Sequence, residues 1–146
     1  MSQPPRWWWA LAALVLAADQ ASKALAWRAL QHPVRLGPLV LRLQTNTGAA
    51  FGLVPWANAL LLVVTALACL GIIWYARRMN GGTARAGLGL ILGGALGNLV
   101  DRLALGRVRD FVDLGFWPTF NLADAAISVG AAITLVTLWR AQDKRR

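Results

Sequence analysis

"ANALLLVVTALACLGIIWYA", residues 57–76, decides the fold. Its 20 residues carry no charge. A helix of that length rises about 30 Å, the hydrocarbon thickness of a bilayer. Two further apolar runs follow it, "AGLGLILGGALGNLV" (86–100) and "LADAAISVGAAITLVTLW" (122–139). Before it, "WWWALAALVLAA" (7–18) stays apolar for 12 residues up to Asp19. With Arg6 ahead and small residues behind, this first run looks like a signal peptide. The helical pattern nevertheless continues through "DQASKALAWRAL" (19–30), with no breaker before Pro33, which favours one uncleaved helix. The expected architecture is an all-α polytopic membrane protein, a single domain over 1–146. Its four transmembrane helices are expected at roughly 7–30, 57–76, 84–103 and 121–140. The overall hydrophobic content, 58% of 146 residues, exceeds that of ordinary soluble domains.

The net charge of +9 fits basic flanks against anionic lipid. A nucleic-acid partner is not expected, because no basic stripe is interleaved with aromatics outside the apolar runs. Of the 15 Lys and Arg residues, eight sit in the short 77–85 connection and the two terminal tails. The positive-inside rule then puts both termini in the cytoplasm and the loops 31–56 and 105–120 outside. In those loops "PVRLGPLVLRLQTN" alternates around Val40, Arg42 and Gln44, and "GRVRDFVDL" alternates again. Both read as strands of a small extracytoplasmic β-sheet. "NTGAAFG" (46–52) reads as a sharp turn, and the ends 1–5 and 141–146 as disordered. Trp7–Trp9, Trp74 and Trp139 read as interfacial anchors on the cytoplasmic side, Trp56 and Trp117 on the other. Gly89, Gly93 and Gly97 form a ridge that lets helices pack closely in lipid.

All six acidic residues are Asp. In the expected topology Asp19 and Lys23 lie at the outer end of the first helix, and Asn98, Asp101 and Arg102 at that of the third. Asp110 and Asp113 lie on the outer loop, and Asn121 and Asp124 begin the fourth helix. Five carboxylates therefore converge on one membrane face, leaving Asp143 solvated in the tail. "NLVD" (98–101) and "NLAD" (121–124) each place Asn and Asp three residues apart, on one helical face. Each amide is then placed to orient a neighbouring carboxylate. Capping alone would suit Asn121 and Asp124, and Asp101 is expected to pair with Arg102 or Lys23. Ionisable groups at membrane depth mark function by default. Cys69 and His32 are each alone, so neither a nucleophile pair nor a metal site is expected. Two carboxylates held close share a proton, one serving as base on a water while the other polarises a carbonyl. That chemistry suits peptide hydrolysis. The residues alone do not choose between Asp101 and Asp110 as the partner of Asp124.

Five blocks in order, "DQASK" (19–23), "NTGAAFG" (46–52), "GNLVDR" (97–102), "RDFVD" (109–113) and "FNLAD" (120–124), make the chain resemble the bacterial lipoprotein signal peptidases (signal peptidase II) over roughly 15–130. The resemblance implies a membrane-embedded aspartyl endopeptidase. It would remove signal peptides from prolipoproteins, cutting before a Cys that carries diacylglycerol. The catalytic pair falls on Asp110 and Asp124. Asn98, Asp101, Arg102 and Asn121 match supporting positions, and Asn46 matches a substrate-contacting one. Asp19 and Lys23 match a block with a structural or lipid-facing role. No cofactor is implied. The expected partners are lipidated prolipoproteins and membrane lipids, and the expected state is a monomer in the bacterial inner membrane. Two residues depart from the family pattern. Arg109 replaces an apolar residue and is expected to lower the pKa of Asp110, and Ala125 stands where Ser is common. The rival reading is a non-enzymatic four-helix scaffold or small transporter, which would place carboxylates nearer the bilayer midplane.

Overall fold

The computed structural model describes residues 4–47, 57–79 and 81–143. Of the turn expected over 46–52, residues 48–52 lie outside them, as does the anchor expected at Trp56. Among these described residues are four helices: α1 (Arg6–Ala29), α2 (Ala57–Ala76), α3 (Gly82–Leu105) and α4 (Leu122–Asp143). Three strands, β1 (Val34–Leu36), β2 (Leu39–Asn46) and β3 (Val108–Asp113), form one antiparallel sheet in the order β1-β2-β3. Among the described residues α2, α3 and α4 are long and apolar enough to cross a membrane. Asp19, Lys23 and Arg28 in its second half set α1 apart from them.

Helix α3 is the axis of the bundle. The ridge of Gly89, Gly93 and Gly97 faces α1. A side chain at Gly93 would sit 2.6 Å from the Ala12 carbonyl oxygen, and one at Gly97 would strike the Asp19 carboxylate. A second small-residue face, which the sequence reading did not single out, turns toward α4. A side chain at Gly94 would lie 2.5 Å from the Ala123 carbonyl oxygen, and one at Gly130 would lie 2.5 Å from the Gly87 carbonyl oxygen. Bare backbone on both sides lets three helices approach closely without a hydrophobic driving force. At the opposite end Trp8, Ala12, Cys69, Ala76, Leu88 and Leu92 make the apolar core. Trp8 is thus not an interfacial anchor. It is fully buried beside Gly89 and meets Trp9 edge to face, leaving Trp7 and Trp9 exposed.

The stretch read as one alternating strand is a hairpin. Leu36 pairs with Leu39 across the two-residue turn Gly37–Pro38, and Gly37 takes φ +65°, a conformation glycine tolerates without strain. β3 pairs with β2 so that Asp110 opposes Gln44 and Val108 opposes Asn46. Gly106, at φ +67°, ends α3 and turns the chain directly into β3. Beyond β3, Phe120 bridges back to Val112, so the chain re-enters the bundle beside the strand it has just left. The C-terminal end expected to be disordered is helical as far as Asp143.

Candidate active site

These connections bring the ends of α1, α3 and β3 and the start of α4 to one place. Asp19, Lys23, Asn98, Asp101, Asp110, Asp113 and Asn121 are all buried there, and Arg102 is half-buried beside them. Asp143 stays apart, exposed at the far end of α4.

The first turn of α4 is closed by its own side chains. The Asp124 backbone N–H donates to Asn121 Oδ1 at 3.0 Å, and the Asn121 N–H donates to Asp124 Oδ2 at 3.2 Å. The capping expected of this pair is therefore real, and it leaves the other atoms of both residues engaged elsewhere. Asn121 Nδ2 donates to Asp110 Oδ1 at 2.7 Å and to Asn98 Oδ1 at 3.2 Å. Asn98 Nδ2 donates to Asp124 Oδ1 at 2.8 Å. The two Asn–Asp pairs are thus crossed: the amide on α3 holds the carboxylate on α4, and the amide on α4 holds the carboxylate on β3. Asn46 adds a further hydrogen bond to Asp110.

Burial, first, and the charge of Asp124, second, push the Asp110 carboxyl up from its ordinary 3.8 to about 6. The Asn121 and Asn46 hydrogen bonds and the Lys23 charge pull the other way and do not prevail. The expectation that Arg109 would lower this value is wrong, because Arg109 does not face Asp110. Its guanidinium forks onto Asp101, with Nη2 2.7 Å from Oδ1 and Nε 3.1 Å from Oδ2. Asp101 also lies 3.6 Å from Lys23 Nζ. Of the two partners expected for Asp101, Lys23 is present, and Arg109 stands nearer than either. Arg102 instead feels the charges of Asp124, Asp110 and Asp101, in that order, and its Nε–H is buried without a partner.

A second buried pair lies behind. Lys23 Nζ bonds Asp19 Oδ2 at 2.8 Å and donates to Asn98 Oδ1 at 2.9 Å. Asp19 Oδ1 accepts the Ala123 N–H at 2.9 Å, so a carboxylate of α1 satisfies a free donor of α4. Gln20 escaped notice in the sequence. Its Nε2 donates to the Gly97 carbonyl at 3.0 Å and to Asp101 Oδ1 at 3.1 Å. The only signal for it was its place beside Asp19 in "DQASK". Asp113 is more peripheral, paired with Arg42 at 2.8 Å and accepting the Gly115 N–H at 2.8 Å.

Two cavities open on this cluster. One, of about 590 Å³, is lined by Gln44, Asn46, Asp110, Asp113, Trp117 and Thr119 among others. The other, of about 350 Å³, is mostly apolar and reaches Asp124 between Phe116, Trp117, Phe120, Ala125 and Val129. Trp117 is the wall they share. Among the described residues no group of three His, Cys, Asp or Glu is placed to hold a metal ion.

Residues 11–140 match the family model for signal peptidase (SPase) II. The chain is 42% identical over 138 residues to a lipoprotein signal peptidase of Pelotomaculum thermopropionicum, covering 90% of this chain and 91% of that one. It is 40% identical over 133 residues to one from Syntrophomonas wolfei, covering 88% and 89%. In structure it is similar to a solved bacterial membrane enzyme with a TM-score of 0.86 at 22% identity, over 100% of this chain and 96% of the other.

Proposed function

The chain belongs to the signal peptidase II family, and from that premise we propose that it removes the signal peptides of lipoprotein precursors by aspartic chemistry at Asp110 and Asp124. The reading is carried by the crossed amides, which hold one carboxylate at each cavity and deny either an ordinary solvent shell. Two carboxylates so held keep one proton between them. The ionised member takes a proton from a water, whose oxygen attacks the scissile carbonyl carbon. The protonated member gives its proton to the carbonyl oxygen, forming a tetrahedral diol. Return of a proton to the amide nitrogen breaks the C–N bond, leaving an acid and an amine and restoring one proton to the pair. Asn98 and Asn121 fix the geometry. Arg102, close to both carboxylates, favours the singly ionised state.

The polar cavity at Asp110 suits an extended peptide, with Asn46 within reach of its backbone. The apolar cavity at Asp124 suits the acyl chains on the Cys that follows the cut. α1 is the fourth span: Asp19 and Lys23 are 0% exposed and paired, so they do not meet lipid. The Lys and Arg distribution supports cytoplasmic termini and a site at the extracytoplasmic face of the inner membrane. An extracytoplasmic signal from a reporter fused at Gly81 would invert that orientation. The monomer holds every residue the reaction requires. Family membership does not favour the scaffold or transporter reading.

Purified protein in detergent should cut a diacylglyceryl-modified precursor and leave its unlipidated Cys form essentially intact. Equal cleavage of the two removes the lipid from the recognition. Cleavage of neither by folded protein overturns the reading.

A further inference from the structure

Arg109 adjoins Asp110 in the chain yet faces away from it. Neighbouring residues of a strand project to opposite faces, so β3 turns Asp110 toward the cavity and Arg109 toward the helices. There the guanidinium fork grips Asp101 of α3, and Nη2 also reaches Gln20 Oε1 of α1 at 3.0 Å. The Arg109 backbone N–H donates to the same Asp101 Oδ2 at 2.9 Å. Strand β3 is thus tied to α3 by main chain and side chain together. The Arg109 side chain is 14% exposed and that of Asp101 is 0%. Shielded two-point bonds between a guanidinium and a carboxylate are the strong, direction-setting kind.

The charges behind the site also balance through this residue. Asp19 and Asp101 bring two negative charges, Lys23 and Arg109 two positive ones. With Arg109 gone, the single Lys23 ammonium, 2.8 Å from Asp19 and 3.6 Å from Asp101, would serve both carboxylates. With Arg109 present, Lys23 also bonds Asn98 Oδ1, and Asn98 Nδ2 holds Asp124.

We propose that Arg109 is a positioning residue of the peptidase reaction: its fork on Asp101 orients the strand that presents Asp110 and keeps Lys23 on the amide that holds Asp124. The proposal rests on Asp110 and Asp124 being the reacting pair. Charge alone is not enough, because an ammonium cannot reproduce two parallel N–H donors in one plane.

The test compares Arg109→Ala, Arg109→Lys and Arg109→Gln with the parent chain in detergent, on the lipidated precursor, with Asp110→Asn as control. A reacting carboxylate displaced by a fraction of an ångström should lower kcat about tenfold or more in the Ala variant, while KM stays within about twofold. Lys should restore only part of the loss, and Gln less. The alkaline limb of kcat/KM should move to lower pH in the Ala variant, because a loosened Asp110 regains water. The charged groups acting on it, Asp124 from α4, Lys23 from α1 and Arg102 from α3, remain in the chain. Parental kcat and pH profile in the Ala variant overturn the proposal, even if its thermal midpoint falls. If the Ala protein does not fold, the Lys variant decides: full kcat without the fork has the same force. Activity in Asp110→Asn defeats the reacting-pair reading instead, so the two failures are separable.

Discussion

Asp101 and Asp110 are successive aspartates of the chain, both buried, and they are held by different chemistry. Asp101 receives a guanidinium fork, a backbone N–H, an amide and a nearby ammonium. Asp110 receives the amides of Asn121 and Asn46, and Lys23 acts on it only as its least influence. Amides orient a carboxylate without neutralising it. A buried carboxylate met chiefly by amides keeps its proton to higher pH than one met by cations. One half of the cluster is therefore a set of ion pairs that joins α1, α3 and β3, with the Ala123 N–H of α4 bonded to Asp19. The other half, where the cavities begin, is held by amides, with the charge of Arg102 nearby. Burial alone does not distinguish Asp101 from Asp110; the donors around them do.

The comparison breaks most sharply on the amide-held pair. Asp110→Asn and Asp124→Asn should each lower turnover per folded molecule by at least about 10²–10⁴-fold, while each variant still folds and melts cooperatively. Asn keeps the shape and loses both the base and the shared proton. Retained turnover in Asp110→Asn beside a dead, folded Asp101→Asn would transfer the partnership with Asp124 to Asp101.

On the ion-paired side the expected loss is in stability. Asp101→Asn leaves Arg109 and Lys23 without their shared carboxylate, and breaking a buried pair costs about 3–5 kcal/mol. Yield and melting temperature should fall, while the protein that folds keeps measurable turnover, within about 10²-fold of the parent.

The two sides should also differ in the pH dependence of stability. A carboxyl whose folded value is raised stabilises the folded state fully only below its unfolded value, and the contribution is lost as pH rises through the folded one. For Asp110 that window runs from 3.8 to about 6. The span corresponds to about 3 kcal/mol. Asp110→Asn should therefore melt higher than the parent at pH 7.5, and the advantage should vanish near pH 4. An unchanged difference across that range would mean the carboxyl is not disfavoured by its surroundings.

The smallest effect belongs to Asp113. Its partner Arg42 is 50% exposed, and such pairs contribute about 0–1 kcal/mol. Asp113→Asn should change melting temperature and turnover only slightly, and a large loss of turnover would bring Asp113 into the reaction.

The helical frame was legible because lipid imposes a simple pattern. An uncharged run such as 57–76 has few alternatives, and the glycine ridge on α3 has one obvious use. The hairpin was missed because alternation continues through Gly37–Pro38, and only the left-handed backbone at Gly37 marks the turn. Trp8 was misplaced because a tryptophan at a helix end suits the interface as well as the core, and the choice lay with Gly89 opposite. At the site, the matching Asn–Asp spacings on α3 and α4 could be read directly. That the amides cross between helices could not, since it depends on how α3 and α4 pack. The partner of Arg109 was equally hidden: adjacency in the chain pointed to Asp110, and strand geometry sends the two side chains apart.

The glycine faces of α3 bear on how this sequence can drift. Half of the best membrane-crossing window of α3 is buried, against 11% for α2. A methyl group at Gly93 or Gly94 meets backbone that has nowhere to retreat, whereas many positions on α2 are exposed. Substitutions should accumulate on α2 almost freely so long as they stay apolar, and hardly at all on α3. In a mutational library the tolerated diversity would map the molecule as a rigid spindle with an interchangeable neighbour, and α2 is the place to attach labels or cross-linkers without disturbing the rest.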